Sequence, residues 1–294
     1  MEARCLEKPL VVIVGPTASG KTSLAIELAE ICSGEIICAD SRTVYEGLDV
    51  GTAKPTRQER SRVPHWGLDI VNPGDYFSAA DFKKYAEDKI GEIRARGNIP
   101  FLVGGTGLYV DSVVFDYKFG KKSVDIAERE RLGMLTLTEL HDYCNKNNIK
   151  LPENEKNIRY VIRSIERNGL DLAKRDSPIE NTIIIGVLND KQTLRNRIEQ
   201  RSEQLFNDGV VNEAKMLGKK YGWDNEALKG NIYPLIHSYL LGNITFEDMK
   251  NKNSILDWRL AKRQLTWLKR NGYIRWLSAE NAKLYILGRL ANRD

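Results

Sequence analysis

The segment that most constrains this chain is residues 9–22, which read PLVVIVGPTASGKT. Its first half, Leu10–Val14, is an uninterrupted apolar and mostly β-branched run, typical of a strand buried on both faces of a parallel sheet. The second half has the spacing G-x-x-x-x-G-K-T, in which glycines let backbone N–H groups approach phosphate oxygens closely. A helical pattern follows directly. We therefore predict a strand, a phosphate-binding loop and a helix in this order.

The predicted loop brings a defined set of groups around a polyphosphate: Gly15, Pro16, Thr17, Ala18, Ser19, Gly20, Lys21 and Thr22. Lys21 supplies a positive point charge, the Thr22 hydroxyl suits Mg²⁺, and the helix N-terminus adds unpaired N–H groups. A glycine-rich turn with a chance lysine is the alternative, but the strand, loop and helix stand in the expected order. The motif specifies neither which polyphosphate binds nor which reaction follows.

Length and charge set the broad class of the protein. A chain of 294 residues can form one large domain or two small ones. The net charge of +5 is compatible with a nucleic-acid partner, though the excess is small. No apolar run is long enough to cross a bilayer, and residues 1–8 lack a signal-peptide pattern, so we expect a cytoplasmic protein. The four cysteines form no C-x-x-C pair, which argues against structural zinc.

Three further apolar runs predict strands of the same parallel sheet: residues 35–38, 99–103 and Thr182–Val187. Ligands bind parallel sheets at the carboxyl ends of the strands, so Asp40 and Thr106 should lie beside the phosphate loop. Asp40 could equally cap a turn. Residues 42–54 form a candidate substrate loop, and residues 64–66 indicate a turn.

Helical patterns dominate the remaining chain, and the strand signals are lost in residues 116–155. We interpret this segment as a helical insertion into a core of residues 1–115 and 156–294. The next helix carries Arg159 and Arg163 four residues apart, either as a nucleic-acid contact or as a solvated face.

Two other groups of cations follow the predicted strand Thr182–Val187. Arg197 and Arg201 share one helix face, where they form either a lid over the phosphates or a surface pair. Residues 254–268 form a predicted helix that carries Arg259, Lys262 and Arg263 among tryptophans. Such concentrated positive charge with aromatic side chains is typical of a nucleic-acid surface.

Together these motifs resemble one family, the tRNA dimethylallyltransferases or tRNA isopentenyltransferases. The matching stretches are GPTASGKT at 15–22, DS at 40–41, GLDVGTAKP at 47–55, VPH at 63–65, SAADF at 78–82, VGGTGLY at 103–109 and AKRQLTW at 261–267. They cover nearly the whole chain, which is identified as a divergent bacterial-type member. The resemblance implies an α/β fold: a P-loop NTPase-like parallel sheet core with a helical insertion and a helical C-terminal region.

The resemblance also implies an activity. It is the transfer of a dimethylallyl group from dimethylallyl diphosphate to N6 of adenosine 37, in tRNAs that read codons beginning with U. The enzyme would be a monomer that uses Mg²⁺, and its insertion would contact the anticodon stem-loop.

Roles for individual residues follow from the same resemblance. Asp40 would be the general base, Thr106 would contact the flipped nucleotide, and Arg197 would neutralise the leaving diphosphate. The phosphate loop would hold the diphosphate together with Arg201, and Thr22 would ligate Mg²⁺. The implied tRNA contacts are Asp40, Ser41, Arg42, Thr43, Thr106, Arg159, Arg163, Arg259, Lys262 and Arg263.

Departures from the family pattern are concentrated in the tRNA-binding half. Thr43 stands where the family usually has Gln, and Asn157 and Tyr160 replace an Asp and an Arg. Three other functions therefore remain as alternatives: prenyl transfer to a free adenine nucleotide, a small-molecule P-loop kinase, and a non-catalytic RNA-binding protein. The basic C-terminal helix argues against the first alternative, and the intact Lys21 and Asp40 argue against the last.

Overall fold

The computed structural model describes residues 7–119, 125–170 and 172–292. The chain divides into two compact units, which we call the sheet unit and the helical unit. The sheet unit combines Met1–Val114 with Pro178–Asp294, and the helical unit is Phe115–Ser177. The helical unit therefore extends past residue 155, where the sequence predicted a return to the core.

A parallel sheet forms the centre of the sheet unit. Its strands within the described ranges are β1 (Leu10–Val14), β2 (Gly34–Ala39), β3 (His65–Trp66), β4 (Ile99–Gly104), β5 (Thr182–Val187) and β6 (Arg275–Leu277). Their spatial order is β3-β2-β4-β1-β5-β6, and every pairing is parallel. The predicted α/β fold is confirmed. The interpretation of residues 64–66 as a turn is wrong for His65 and Trp66, which pair with β2 at the sheet edge.

The helices of the described ranges are α1 (Lys21–Ile31), α2 (Arg57–Arg62), α3 (Ala79–Ala95), α4 (Gly107–Val114), α5 (Ile126–Gly133), α6 (Leu137–Lys146), α7 (Ile158–Glu166), α8 (Lys191–Asn207), α9 (Val210–Tyr221), α10 (Ile232–Leu240), α11 (Phe246–Leu268) and α12 (Ala279–Ala291), with a 3₁₀ turn at Glu226–Lys229. None of them is long and apolar enough to cross a membrane.

The apolar core explains why β1 lies in the middle of the sheet. All residues of Leu10–Val14 are fully buried, as a strand covered on both faces requires. Ile13 belongs to a cluster that includes Leu28 of α1, Phe101 of β4 and Ile286 of α12. The apolar faces of α1 and α12 therefore hold the sheet from which the phosphate loop emerges.

A close approach between β2 and β4 sets the geometry of the rim. A Cβ on Gly104 would lie 2.0 Å from the carbonyl oxygen of Ala39, so only glycine fits there. The N–H of Thr106 also donates to Ala39 O, at 3.3 Å. These contacts bring the segments that carry Asp40 and Thr106 next to each other.

Helix starts follow local capping chemistry. Ser78 and Asp81 form the cap of α3, since each side chain accepts the backbone N–H of the other. Thr245 and Asp248 form the same reciprocal arrangement, and α11 therefore begins at Phe246 rather than at residue 254.

The helical unit has its own small core. Leu132, Leu140 and Cys144 pack with Val161 and Ile165 of α7. Because the apolar stripe of α7 is buried against these residues, α7 belongs to this unit, which is why the unit continues beyond the expected insertion of 116–155.

Candidate active site

A cavity of about 390 Å³ lies at the carboxyl ends of β1, β2 and β4. Residues that follow each of these strands line it: Lys21 and Thr22 after β1, Asp40 after β2 and Thr106 after β4. Arg201 of α8 lines the same cavity. The structure thus brings together residues from four separate sequence motifs.

The phosphate loop is held in shape by its own backbone and by α11. Gly20 has φ +89°, a left-handed conformation that glycine adopts without strain. The N–H of Ser19 donates to Pro16 O at 3.2 Å. The N–H of Thr17 donates to Oε1 of Gln264 at 2.8 Å, a contact that the sequence did not predict.

Lys21 is the principal cation of the loop. Its ammonium donates to Pro16 O at 3.1 Å. Burial lowers the pKa of Lys21 from 10.5 to about 8, more than the neighbouring Asp40 carboxylate raises it, and the nearby Arg201 lowers it further. A bound anion would favour the charged form, so the site is electrostatically suited to a diphosphate.

Both arginines of α8 contact the phosphate loop. Arg197 is exposed and donates from Nη1 to Ser19 O at 3.1 Å and to Asn189 Oδ1 at 3.0 Å. Arg201 donates from Nη1 to Thr17 Oγ1 and from Nη2 to Thr52 O at 3.4 Å. The geometry favours the lid hypothesis over an unrelated surface pair.

Asp40 combines the two roles that the sequence left open. Its Oδ1 accepts the N–H of Arg42 at 2.8 Å and so closes a turn. Its side chain also lines the cavity, and no hydrogen bond from the described residues reaches Oδ2. Thr106 supports the same turn, since its Oγ1 accepts the N–H of Ser41 at 3.1 Å. One carboxylate oxygen therefore holds the turn while the other is available for proton transfer.

The residues after Asp40 form part of the cavity wall. Ser41, Arg42 and Thr43 all line it. Thr43 is buried and its hydroxyl donates to Asp40 O at 3.4 Å, so it supports the backbone of the turn. Arg42 Nη1 donates to Glu226 O at 2.8 Å, which ties the wall to the 3₁₀ turn.

Helix α11 supplies the opposite side of the cavity. Arg263 and Gln264 line it. Arg259, Lys262 and Arg263 are all exposed, and Lys262 Nζ lies 5.8 Å from the ring centroid of Trp258. All three predicted cations thus lie on the helix that also contacts the phosphate loop through Gln264.

Helix α7 carries the predicted cations of the helical unit, Arg159 and Arg163. Asn157 caps α7 by accepting the N–H of Arg159 at 3.0 Å. The side chain of Arg159 is exposed. Arg163 pairs with Glu166 at 2.7 Å, and Glu166 also pairs with Arg129 at 2.6 Å. Arg163 is therefore engaged in an ion-pair network with Glu166 and Arg129.

Two buried ionisable residues hold the loop that lines the cavity through Gly51 and Thr52, and the sequence did not predict this role for either of them. Lys54 has 1% of its side chain exposed and donates to Tyr45 O at 2.7 Å and to Asp49 at 2.9 Å. Glu213 of α9 is 8% exposed and accepts hydrogen bonds from the segment just before Lys54. The family motif GTAKP contains Lys54, but its residue types carry no sign of these partners.

Comparison with known proteins agrees with the motifs. A model of the IPP transferase family matches residues 43–271, and one of isopentenyl transferases matches residues 8–65. The tRNA dimethylallyltransferase of Bacillus subtilis (strain 168) is 38% identical over 285 residues, covering 92% of this chain and 90% of that protein.

Solved structures agree as well. The full-length tRNA isopentenylpyrophosphate transferase from Bacillus halodurans superposes with a TM-score of 0.75 at 36% identity, covering 97% of both chains. The tRNA delta(2)-isopentenylpyrophosphate transferase from Staphylococcus epidermidis gives 0.73 at 32% identity, covering 98% of this chain and all of that one. The resemblance inferred from the motifs is confirmed: this chain belongs to the IPP transferase family.

Proposed function

We propose that this protein transfers a dimethylallyl group from dimethylallyl diphosphate to N6 of adenosine 37 in tRNAs that read codons beginning with U. One observation carries the proposal: a single cavity joins the phosphate loop and Lys21 to Asp40 and Thr106. Transfer of a prenyl group to an amine needs both halves. The leaving diphosphate needs cations and N–H donors, and the amine needs an acceptor for its proton.

The residues divide the reaction between them. As the carbon–oxygen bond of the donor breaks, its electron pair stays on the diphosphate. Lys21, Arg197 and Arg201 surround the loop that would hold this group and would stabilise its charge. The adenine N6 forms the new bond to carbon and releases a proton to Oδ2 of Asp40.

The donor atoms in the cavity fit Mg²⁺. The Thr22 hydroxyl is a hard oxygen ligand that lines the cavity beside Lys21. Mg²⁺ takes one or two protein oxygens and completes its shell with water and substrate phosphates. Bound there, it would supply positive charge to the diphosphate oxygens.

Recognition of tRNA is assigned to two surfaces. The adenine must leave its stack to reach Asp40, as in other enzymes that act on a base. The exposed Arg259 and Lys262, with Arg263 at the cavity, are suited to the phosphate backbone beside that opening. Arg159 and Arg163 of the helical unit are proposed to contact the anticodon stem-loop.

A prenyl-transfer assay tests the proposal. Purified protein, Mg²⁺ and radiolabelled dimethylallyl diphosphate are incubated with unmodified tRNA carrying A36 and A37, with the same tRNA carrying G37, and with AMP. We expect label on the A37 tRNA alone. Label on AMP would support transfer to a free nucleotide, and no label on any acceptor from folded protein would refute the proposed activity.

A further inference from the structure

The candidate substrate loop is held by a buried carboxylate. Glu213 accepts the N–H groups of three consecutive loop residues. Oε2 accepts from Asp49 at 2.9 Å and from Val50 at 2.6 Å, and Oε1 accepts from Gly51 at 2.9 Å. A carboxylate that is only 8% exposed needs such partners, since burying it without hydrogen bonds would be strongly unfavourable.

Tyr233 of α10 completes this arrangement. Its hydroxyl donates to Glu213 Oε1 at 2.9 Å, and the residue is 1% exposed. A Cβ on Gly51 would lie 2.5 Å from that hydroxyl oxygen, so the loop backbone lies directly against the phenol. Burial first, and then the Glu213 carboxylate, raise the pKa of Tyr233, which keeps the hydroxyl a hydrogen-bond donor.

The loop contains a strained residue just beyond these contacts. Ala53 has φ +48°, in the left-handed region that a Cβ disfavours. Buried Lys54 fixes the chain on the other side by donating to Tyr45 O and pairing with Asp49. Strained backbone persists where the surroundings over-determine it, and it is concentrated at functional sites.

The loop that Glu213 holds contacts the proposed diphosphate site through Thr52, which is hydrogen-bonded to Arg201. The carbonyl of Thr52 accepts from Arg201 Nη2 at 3.4 Å, while Arg201 Nη1 donates to Thr17 of the phosphate loop. Arg201 Nε is buried and has no hydrogen bond among the described residues. Thr52 therefore links the loop that Glu213 holds to the cation that faces the diphosphate.

We infer that Glu213, together with Tyr233, is a positioning residue: it fixes the Thr52 carbonyl and thereby orients the Arg201 guanidinium toward the bound diphosphate. The guanidinium is a planar fork whose grip on phosphate depends on its orientation, so a small displacement of Thr52 would weaken binding. This inference rests on the proposed function of the cavity.

A double-mutant cycle on diphosphate binding tests the route through Arg201. The affinity for inorganic diphosphate with Mg²⁺ is measured by calorimetry for the wild type, E213Q, R201A and E213Q/R201A. We expect E213Q to weaken binding about tenfold in the wild type and by less than about twofold in R201A, since residues that act through one another are not additive. Equal losses in both backgrounds would refute the inference.

Two further variants separate positioning from general destabilisation. Y233F removes one hydrogen bond and keeps the carboxylate with its three N–H partners. It should weaken binding about threefold and only when Arg201 is present. E35Q is the matched control, because Glu35 is a 2% exposed carboxylate held by Arg96, Asn98 and Trp66 at the amino end of β2.

E35Q should lower the melting temperature and leave diphosphate affinity unchanged. An equal loss of affinity in E35Q would mean that Glu213 acts only through stability. Prenyl transfer to tRNA by the wild type is measured in parallel. If the wild type transfers the prenyl group but the mutant cycle is additive, the positioning role of Glu213 is refuted and the proposed reaction stands. A non-additive cycle without transfer would refute the proposed reaction while supporting the role of Glu213 in the anion site.

Discussion

The pKa of Lys21 predicts that the protein loses affinity for its diphosphate donor as the pH rises above about 8. Burial lowers this pKa from 10.5 to about 8 in the free protein, so the ammonium loses its proton within an accessible pH range. A bound diphosphate favours the charged form and raises the pKa again. By linkage, affinity is fully present well below pH 8, about half of it is left at pH 8, and it continues to fall as the pH rises further.

The size of the effect follows from the fraction of free protein that carries the charge. With a pKa of about 8, the apparent Kd should be about twice its low-pH value at pH 8 and about eleven times that value at pH 9. The donor does not change charge over this range, because the second ionisation of a phosphate lies near pH 6. The neighbouring Cys38 does not titrate either, since burial raises its pKa to about 12.

Calorimetric titration with dimethylallyl diphosphate and Mg²⁺, without tRNA, between pH 7.5 and 9.5 measures this dependence. K21R is the control, because a guanidinium stays charged throughout, so its binding should be weaker but independent of pH. A flat profile for the wild type would contradict the lowered pKa of Lys21. The same slope in K21R would show that another group is responsible.

Three other predictions concern the site and the fold. D40A should abolish prenyl transfer while diphosphate binding survives, and loss of both in calorimetry would indicate a metal or structural role instead. Hydrogen bonds, above all from Arg96, lower the pKa of Glu35 to about 2. The ionised carboxylate therefore contributes about 3 kcal/mol to the free energy of unfolding, and this contribution is complete above pH 4.5 and is lost as the pH falls toward 2. Urea unfolding of E35Q between pH 5 and 2.5 should therefore show a smaller loss of stability than the wild type. G107A should destabilise the protein by about 1–3 kcal/mol, because its Cβ would lie 2.0 Å from Trp267 Cδ1, whereas G91A, with open space around it, should not destabilise it in thermal unfolding.

The central strands were predictable because each is buried on both faces, and a short continuous apolar run is typical of such a strand. The edge strands were not. His65–Trp66 and Arg275–Leu277 have two and three residues, which is too short for any periodic pattern. They are strands only because a parallel neighbour offers its N–H and C=O groups, and that neighbour is far away in the sequence.

In the candidate site, too, some features could be predicted from the sequence, whereas contacts made by distant residues could not. Asp40 and Thr106 were placed correctly on one rim because topology alone brings the carboxyl ends of parallel strands together. In the two loops, the partners of Gln264 and Glu213 are backbone N–H groups, which every residue except proline carries. The contacted loop segments therefore show no sign of these hydrogen bonds in their residue types.

The signal that could have identified Glu213 lies on its own helix. The buried positions of α9 are Val210, Glu213, Ala214, Leu217 and Gly218, which follow the spacing of an apolar stripe. A carboxylate within such a stripe must find donors inside the protein, since burial without them is strongly unfavourable. Helical periodicity therefore predicts that Glu213 has buried partners, although it cannot say that they are loop N–H groups 162 to 164 residues earlier. A charged residue at a stripe position thus marks a segment whose shape depends on it, and here that segment forms a wall of the cavity.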